Sequence, residues 1–152
     1  MPNLPNVVVA VIVLNQSTIL LGKSAATGKW TLPAQTIAPF QSQADAGVQG
    51  VLASTGVNVE VTASLFVSEN INPPSAHDIV VVALGKPLGD LPTNDSFITT
   101  NLTIFSQVRW VDFRELGDIQ NDVDDVTADA IMKFGMFLQS KSAGNQVRGR
   151  AN

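Results

Sequence analysis

The sequence contains no cysteine, one histidine and few charged residues. The absence of cysteine excludes disulfide bonds and thiolate metal sites, and it is compatible with a reducing cytoplasm, where we expect the protein to lie. Charged residues make up only 14% of the chain, so the surface must rely on asparagine, glutamine, serine and threonine. The formal net charge of -4 argues against a nonspecific nucleic-acid binder, because such proteins depend on basic patches.

Long apolar runs are also missing, so no membrane partner is expected. The longest candidate, Val7–Leu14, is too short to span a bilayer. It is also a poor signal peptide, because no basic residue precedes it and no small-residue cleavage site is evident. Rich in valine and isoleucine, it is predicted to be a strand that is buried on both faces. The 152 residues suit a single domain, which we place at residues 1–141, followed by a polar and mobile tail at 142–152.

The remaining apolar pattern predicts alternating strands and helices. Further strands are predicted at 18–21, 57–70, 79–84 and 107–111, with a break in the second of these near Ala63. Prolines and polar residues predict a turn at 70–75 and a connector at 85–100. The last helix is predicted to begin near Asp124 or Asp125, with an apolar stripe facing the core.

The stretch Gly28–Val57 organises the chain. It reads as a short extended segment that stops at Pro33, then a loop, then one helix. Ser42 is a suitable N-cap, and Asp45 follows three residues later, where a carboxylate interacts well with the helix dipole. Gly56 is placed where a left-handed residue commonly ends a helix.

This stretch resembles the Nudix box and its approach, GxWxLPGG followed by G-x5-E-x7-R-E-U-x-E-E-x-G-U, where U is a bulky aliphatic residue. The approach is matched by Gly28, Trp30, Leu32 and Pro33, and the frame of the box is matched by Ile37, Pro39, Ser42, Ala46, Val51, Leu52, Thr55, Gly56 and Val57. A second resemblance lies at Val108–Leu116, a strand with Trp-Val followed by a turn ending in Glu-Leu. The resemblance covers nearly the whole chain and implies an α/β fold, the Nudix α/β/α sandwich with a mixed β-sheet between helices.

The polar positions of the box do not match the family. Its glycine, first glutamate, arginine and three later glutamates are replaced, in that order, by Gln35, Gln41, Gln49, Gly50, Ala53 and Ser54. Family members use magnesium or manganese to hydrolyse a nucleoside diphosphate linked to another group. Magnesium prefers oxygen ligands, largely carboxylates, and must offset the charge that grows on the phosphate oxygens. The sequence therefore predicts the family's fold without its usual metal cluster, and no catalytic residue, metal ligand or cofactor is assigned.

Our leading hypothesis is a non-catalytic Nudix-fold protein that binds a nucleotide or another small ligand, or serves as an interaction module. A neutral, hydrogen-bonding cleft is expected where the family holds metal and phosphate. The candidate cleft residues are Trp30, Gln35, Gln41, Asp45, Gln49, Ser54 and His77. A plainer interpretation exists for several of them: Asp45 suits the first turn of a helix, a lone histidine is commonly structural, and tryptophan is commonly packed.

Two other functions remain open on the sequence. A divergent hydrolase could use Asp45, His77 or acids of the connector with magnesium or manganese in a replacement site. Some relatives with a degenerate box bind RNA, which the acidic composition here argues against. The resemblance also allows a homodimer, a common state in the family.

Overall fold

The computed structural model describes residues 5–72, 76–89, 96–97, 103–116 and 122–150. Over these ranges the strands are β1 (Asn6–Asn15), β2 (Thr18–Ser24), β3 (Trp30–Thr31), β4 (Ala34–Thr36), β5 (Val59–Asn72), β6 (Ala76–Pro87), β7 (Ser96–Phe97) and β8 (Phe105–Asp112). The helices are α1 (Gln43–Thr55), a short 3-10 helix (Phe113–Glu115) and α2 (Asp125–Arg150). No helix within the described ranges is long and apolar enough to cross a membrane.

The strands form one mixed sheet in the order β5-β6-β1-β2-β8-β7. Strands β1 and β6 are parallel, whereas β1 and β2, β2 and β8, and β5 and β6 are antiparallel. The short strand β4 pairs with β1, and β3 pairs with β2. This arrangement confirms the predicted mixed sheet and places β4 directly before the loop that leads into α1.

Strand β1 is buried on both faces, as its continuous apolar run predicts. Because successive side chains of a strand point to opposite faces, its residues divide between two cores. Val9, Val11 and Val13 belong to the core that includes Ala46 and Val51 of α1. On the other face, Ala10 and Ile12 belong to the core that includes Ala130 and Phe134 of α2. One helix therefore covers each face, and the α/β/α sandwich is confirmed.

The ends of α1 follow from its sequence. The hydroxyl of Ser42 accepts a hydrogen bond from the backbone N–H of Asp45, at 3.1 Å. Gly56 ends the helix with φ 78°, and its N–H donates to the carbonyl of Leu52. The following strand, β5, is irregular between Val61 and Ala63, where the break was predicted.

Several elements are longer than the sequence predicts. Strand β2 continues to Ser24 and β8 spans Phe105–Asp112. Residues 70–72, which were assigned to a turn, belong to β5 and pair with residues 76–78 of β6. Strand β6 includes residues 85–87, which were assigned to the connector, because Lys86 and Pro87 pair with Glu60 and Val59 of β5. Helix α2 continues through residues 142–150, which were assigned to the tail, and no proline interrupts the chain there. Residues 73–75, most of the predicted connector including Asp90 and Asp95, and residues 151–152 lie outside the described residues.

Candidate functional site

A tight turn joins β4 to α1. The N–H of Gln41 donates to the carbonyl of Ala38, at 3.1 Å, so that Pro39 and Phe40 occupy the two central positions. Phe40 has φ 65°, as the third residue of a type II turn requires. That position favours glycine, because an L side chain in left-handed backbone costs roughly 1–2 kcal/mol. The ring is nevertheless placed on the surface, with a relative exposure of 110%.

The side chain of Gln41 fixes this turn to α1. Its Oε1 accepts from the N–H of Ala38 at 3.0 Å, and its Nε2 donates to Oε1 of Gln49 at 2.7 Å. These two glutamines stand where the family has a glutamate and an arginine. The structure thus shows that the two positions are in contact and that they carry a neutral amide pair in this chain.

An open groove with a volume of about 650 Å3 lies between the turn and α1. Its lining residues are Ala38, Pro39, Phe40, Gln41, Asp45, Val48 and Gln49. Among these described residues, Asp45 carries the one charged side chain, and the other polar groups are the two glutamine amides. The groove therefore offers apolar and aromatic surface, neutral hydrogen-bonding groups and a single negative charge.

Gly50 allows α1 to pack directly on β4. A Cβ atom at this buried position would stand 2.7 Å from the Cβ of Gln35 and 3.2 Å from the carbonyl carbon and oxygen of Ala34. Real Cβ atoms essentially never approach another carbon so closely, and the neighbouring atoms belong to the backbone and the base of a side chain. The Nudix box has glycine at the strand position and glutamate at the helix position, whereas this chain has Gln35 on β4 and Gly50 on α1.

Ser54 does not reach the groove. It is 1% exposed, and its hydroxyl donates to the carbonyl of Gly50 at 2.6 Å within the same helix. Ala53 has no polar side-chain atom. The three positions at which the family holds its later glutamates thus carry a buried glycine, a methyl group and a hydroxyl that is bonded to its own helix.

Trp30 and His77 lie away from this groove. Trp30 packs against the core on the α2 side of the sheet, and its carbonyl accepts from the N–H of Asp124 at 3.1 Å. His77 is in β6, with Nε2 at 3.2 Å from Oε2 of Glu69 in β5. Of the seven candidates, the structure brings Gln41, Asp45 and Gln49 together in the groove, and Gln35 lies partly buried beneath α1.

Sequence reasoning missed four residues of the groove, namely Ala38, Pro39, Phe40 and Val48. A usable signal was present, because proline favours the second position of a type II turn and a surface aromatic follows it directly. Phe40 also lies between the extended segment and the N-cap Ser42, where no strand or helix pattern of apolar residues includes it. Such a residue has no predicted partner in the core.

The fold agrees with solved structures of hydrolases. A NUDIX hydrolase from Nitrosomonas europaea is similar with a TM-score of 0.72 and 18% identity, over 87% of this chain and 89% of the other. Another from the same organism has a TM-score of 0.69 and 24% identity, over 85% and 69% of the two chains. A MutT NUDIX hydrolase from Burkholderia pseudomallei has a TM-score of 0.68 and 17% identity, over 86% and 98%.

The chain has the Nudix fold. The resemblance that Gly28–Val57 indicated is therefore confirmed at the level of the fold. No protein-family model matches the sequence, and no curated protein matches it. What this chain shares with the Nudix structures is the frame of sheet and helices.

Proposed function

We propose that this protein uses the Nudix fold without the family's hydrolysis and binds a small, uncharged or weakly charged molecule in the groove beside α1. The observation that carries the proposal is the contact between Gly50 and β4. A glutamate at position 50 needs a Cβ atom, and that atom would stand 2.7 Å from the Cβ of Gln35. The backbone as it stands therefore does not accept a Cβ atom at position 50 unless β4 or α1 shifts.

The remaining box positions also fit a metal poorly. A divalent cation beside a pyrophosphate needs negatively charged oxygen ligands, which amides, a methyl group and a helix-bonded hydroxyl do not supply. Within the described ranges, no group of three or more histidine, aspartate or glutamate side chains is arranged to hold a metal ion. Neither magnesium nor manganese is therefore assigned a role in the proposed function.

The groove is open to solvent and is large enough to hold a small ligand. Its volume of about 650 Å3 falls in the range of roughly 300–1,000 Å3 that such sites occupy. The amide of Gln49 accepts from Gln41, and its Nε2 makes no hydrogen bond to any described residue. This amino group can donate to a ligand that rests on the apolar wall.

A divergent hydrolase is the second candidate function. It would cleave a nucleoside diphosphate linked to another group, with magnesium or manganese in a replacement site. The solved structures of the same fold are described as hydrolases, and Asp45 places one carboxylate in the wall of the groove. These two observations favour it over any third activity.

Calorimetric titration with MgCl2 and MnCl2, combined with a hydrolysis panel of ADP-ribose, dinucleotides and nucleoside triphosphates, separates the two functions. We expect no saturable metal binding and no metal-dependent turnover by a folded sample. Turnover that disappears in Asp45→Ala would overturn the proposal and establish the hydrolase. The matched control is Asp125→Ala, which removes a carboxylate from the first turn of α2 and should leave any such turnover unchanged.

A further inference from the structure

We infer that the groove takes a planar organic monocation, namely a small molecule in which a guanidinium or amidinium group is attached to an apolar body. The inference rests on the proposed ligand-binding function and specifies the charge and shape of the ligand. Three features of the wall carry it: an exposed aromatic ring, one carboxylate that has no partner among the described residues, and a described lining that contains no lysine or arginine.

The exposed position of the Phe40 ring is energetically unfavourable. Phe40 combines full exposure with left-handed backbone, and both features are unfavourable for phenylalanine. Glycine would relieve both. A strained and exposed aromatic at the rim of a groove is typical of a residue that acts on a ligand, since a ring face attracts cations and planar groups.

Hydrogen bonds hold the backbone of the turn that carries this ring. The N–H and the carbonyl of Ala38 both bond to Gln41, which is bonded in turn to Gln49 of α1. The loop is thereby connected to the helix by side chain and backbone together. Binding of a ligand to Phe40 therefore costs little additional backbone entropy in this loop.

The charge of the groove favours a cation. The carboxylate of Asp45 makes no hydrogen bond or ion pair with any described residue, whereas its backbone N–H is bonded to Ser42. The helix dipole contributes about half a positive charge near this end, which the full charge of the carboxylate outweighs. A phosphate-bearing ligand would be repelled by Asp45, so the groove is unsuited to the anions that a Nudix box binds.

A guanidinium or amidinium group suits the wall better than an ammonium group. Its forked N–H groups can bond a carboxylate at two points and also bond an amide oxygen. Its flat face stacks on an aromatic ring, and it is less strongly hydrated than ammonium. Ala38, Pro39 and Val48 then supply an apolar surface for the rest of the molecule.

Benzamidine and benzamide form a matched pair of probes, because they share size and shape and differ in charge. We expect benzamidine to shift the backbone amide resonances of residues 38–49 in a titration of 15N-labelled protein, and to bind about fivefold more tightly than benzamide. Phe40→Gly and Asp45→Asn should each weaken benzamidine binding by about two- to fivefold. Asp45→Asn should also remove the preference for the charged probe.

The control variant is Asp125→Asn, which removes the same charge from the first turn of α2 and should leave benzamidine binding unchanged. Equal affinity for the two probes, or shifts confined to residues around Asp125 and Asp129, would overturn the inference. Such a result leaves a site for neutral ligands intact, so the proposed function survives it. Metal-dependent hydrolysis in the separate panel would instead overturn the proposed function.

Discussion

Gln35 of β4 and Gly50 of α1 contact each other so closely that a Cβ atom added to the glycine would stand 2.7 Å from the Cβ of the glutamine. The Nudix box has the reverse arrangement, with glycine at the first position and glutamate at the second. Gln41 and Gln49 form a second pair of contacting positions, joined at 2.7 Å, where the box has opposite charges. Four of the six positions that differ from the box thus contact each other in two pairs, and α1 packs on β4 without the charges of the box.

The first prediction concerns the space above Gly50. Replacing a helical glycine by alanine ordinarily stabilises a protein by about 1 kcal/mol. We expect Gly50→Ala instead to lower the free energy of unfolding by about 1–3 kcal/mol, because the new methyl group meets β4. Urea unfolding measures the change. In the control Gly135→Ala of α2, the added Cβ has no atom within 4 Å, so this variant should be as stable as the wild type or more stable.

The second prediction tests the steric coupling between positions 35 and 50. Gly50→Glu alone should be strongly destabilised, and Gln35→Gly in the same chain should recover part of the loss. We expect a coupling free energy of about 1 kcal/mol or more, in the favourable direction, from a double-mutant cycle. If the two substitutions change the free energy of unfolding additively, the side chain of Gln35 does not cause the steric exclusion at position 50.

The third prediction separates the ring of Phe40 from its backbone. Phe40→Gly should raise the free energy of unfolding by about 1 kcal/mol, because glycine adopts φ 65° without strain. Phe40→Ala keeps the strain and should give no such gain. Gln16→Gly is a matched control in the β1–β2 turn, where φ is 56°, and it should also stabilise the fold while leaving benzamidine binding unchanged. A loss of stability in Phe40→Gly would mean that the ring stabilises the fold.

The fourth prediction concerns the connection between α2 and the segment before β4. The hydroxyl of Thr127 is buried, accepts from the N–H of Leu32 at 3.0 Å and lies 3.2 Å from the hydroxyl of Thr31. Thr127→Val keeps the shape but leaves the Leu32 N–H unpaired, at a cost of about 1–3 kcal/mol. Thermal unfolding checks this value. Thr62→Val removes a hydroxyl from an exposed position in β5 and should change stability by less than about 0.5 kcal/mol.

The fifth prediction is a pH dependence at the end of β8. The side chain of Arg114 donates to the carboxylate of Asp112, as does its backbone N–H, and these bonds lower the pKa of Asp112 from 3.8 to about 2. Because the folded pKa is the lower one, this group stabilises the fold above the unfolded pKa and the contribution is lost as the pH falls from about 4 to about 2. Asp112→Asn should therefore show a smaller decrease in melting temperature over that interval.

Arg114→Gln provides the matching variant for the pH experiment. It removes the guanidinium but keeps the backbone N–H, so it should reduce the acid sensitivity only in part. The side chain of Arg114 is 89% exposed, and high salt should accordingly weaken the effect. An unchanged pH profile in both variants would contradict the assignment of the shift to this pair.

Local interactions explain what the sequence predicted well. Ser42 and Gly56 define the ends of α1 because capping depends on residues within one turn. The run at Val7–Leu14 identified a strand buried on both faces because apolar composition reports burial directly. The limits of β6 and α2 were less accurate, since pairing with β5 and continuation of a helix depend on neighbours that the local pattern does not reveal.

The sequence by itself determined the frame of this protein. Residue types and their spacing predict the two helices and the doubly buried strand, and they show that the box carboxylates are absent. Only the tertiary structure decided which residues meet. Gln41 is hydrogen-bonded to Gln49, and Gly50 packs against Gln35. Trp30 and His77 lie away from the groove that Phe40 lines. The reason is physical: whether a strand, a turn and a helix make a given contact depends on differences of a few tenths of an ångström in three dimensions, and a linear pattern does not contain them.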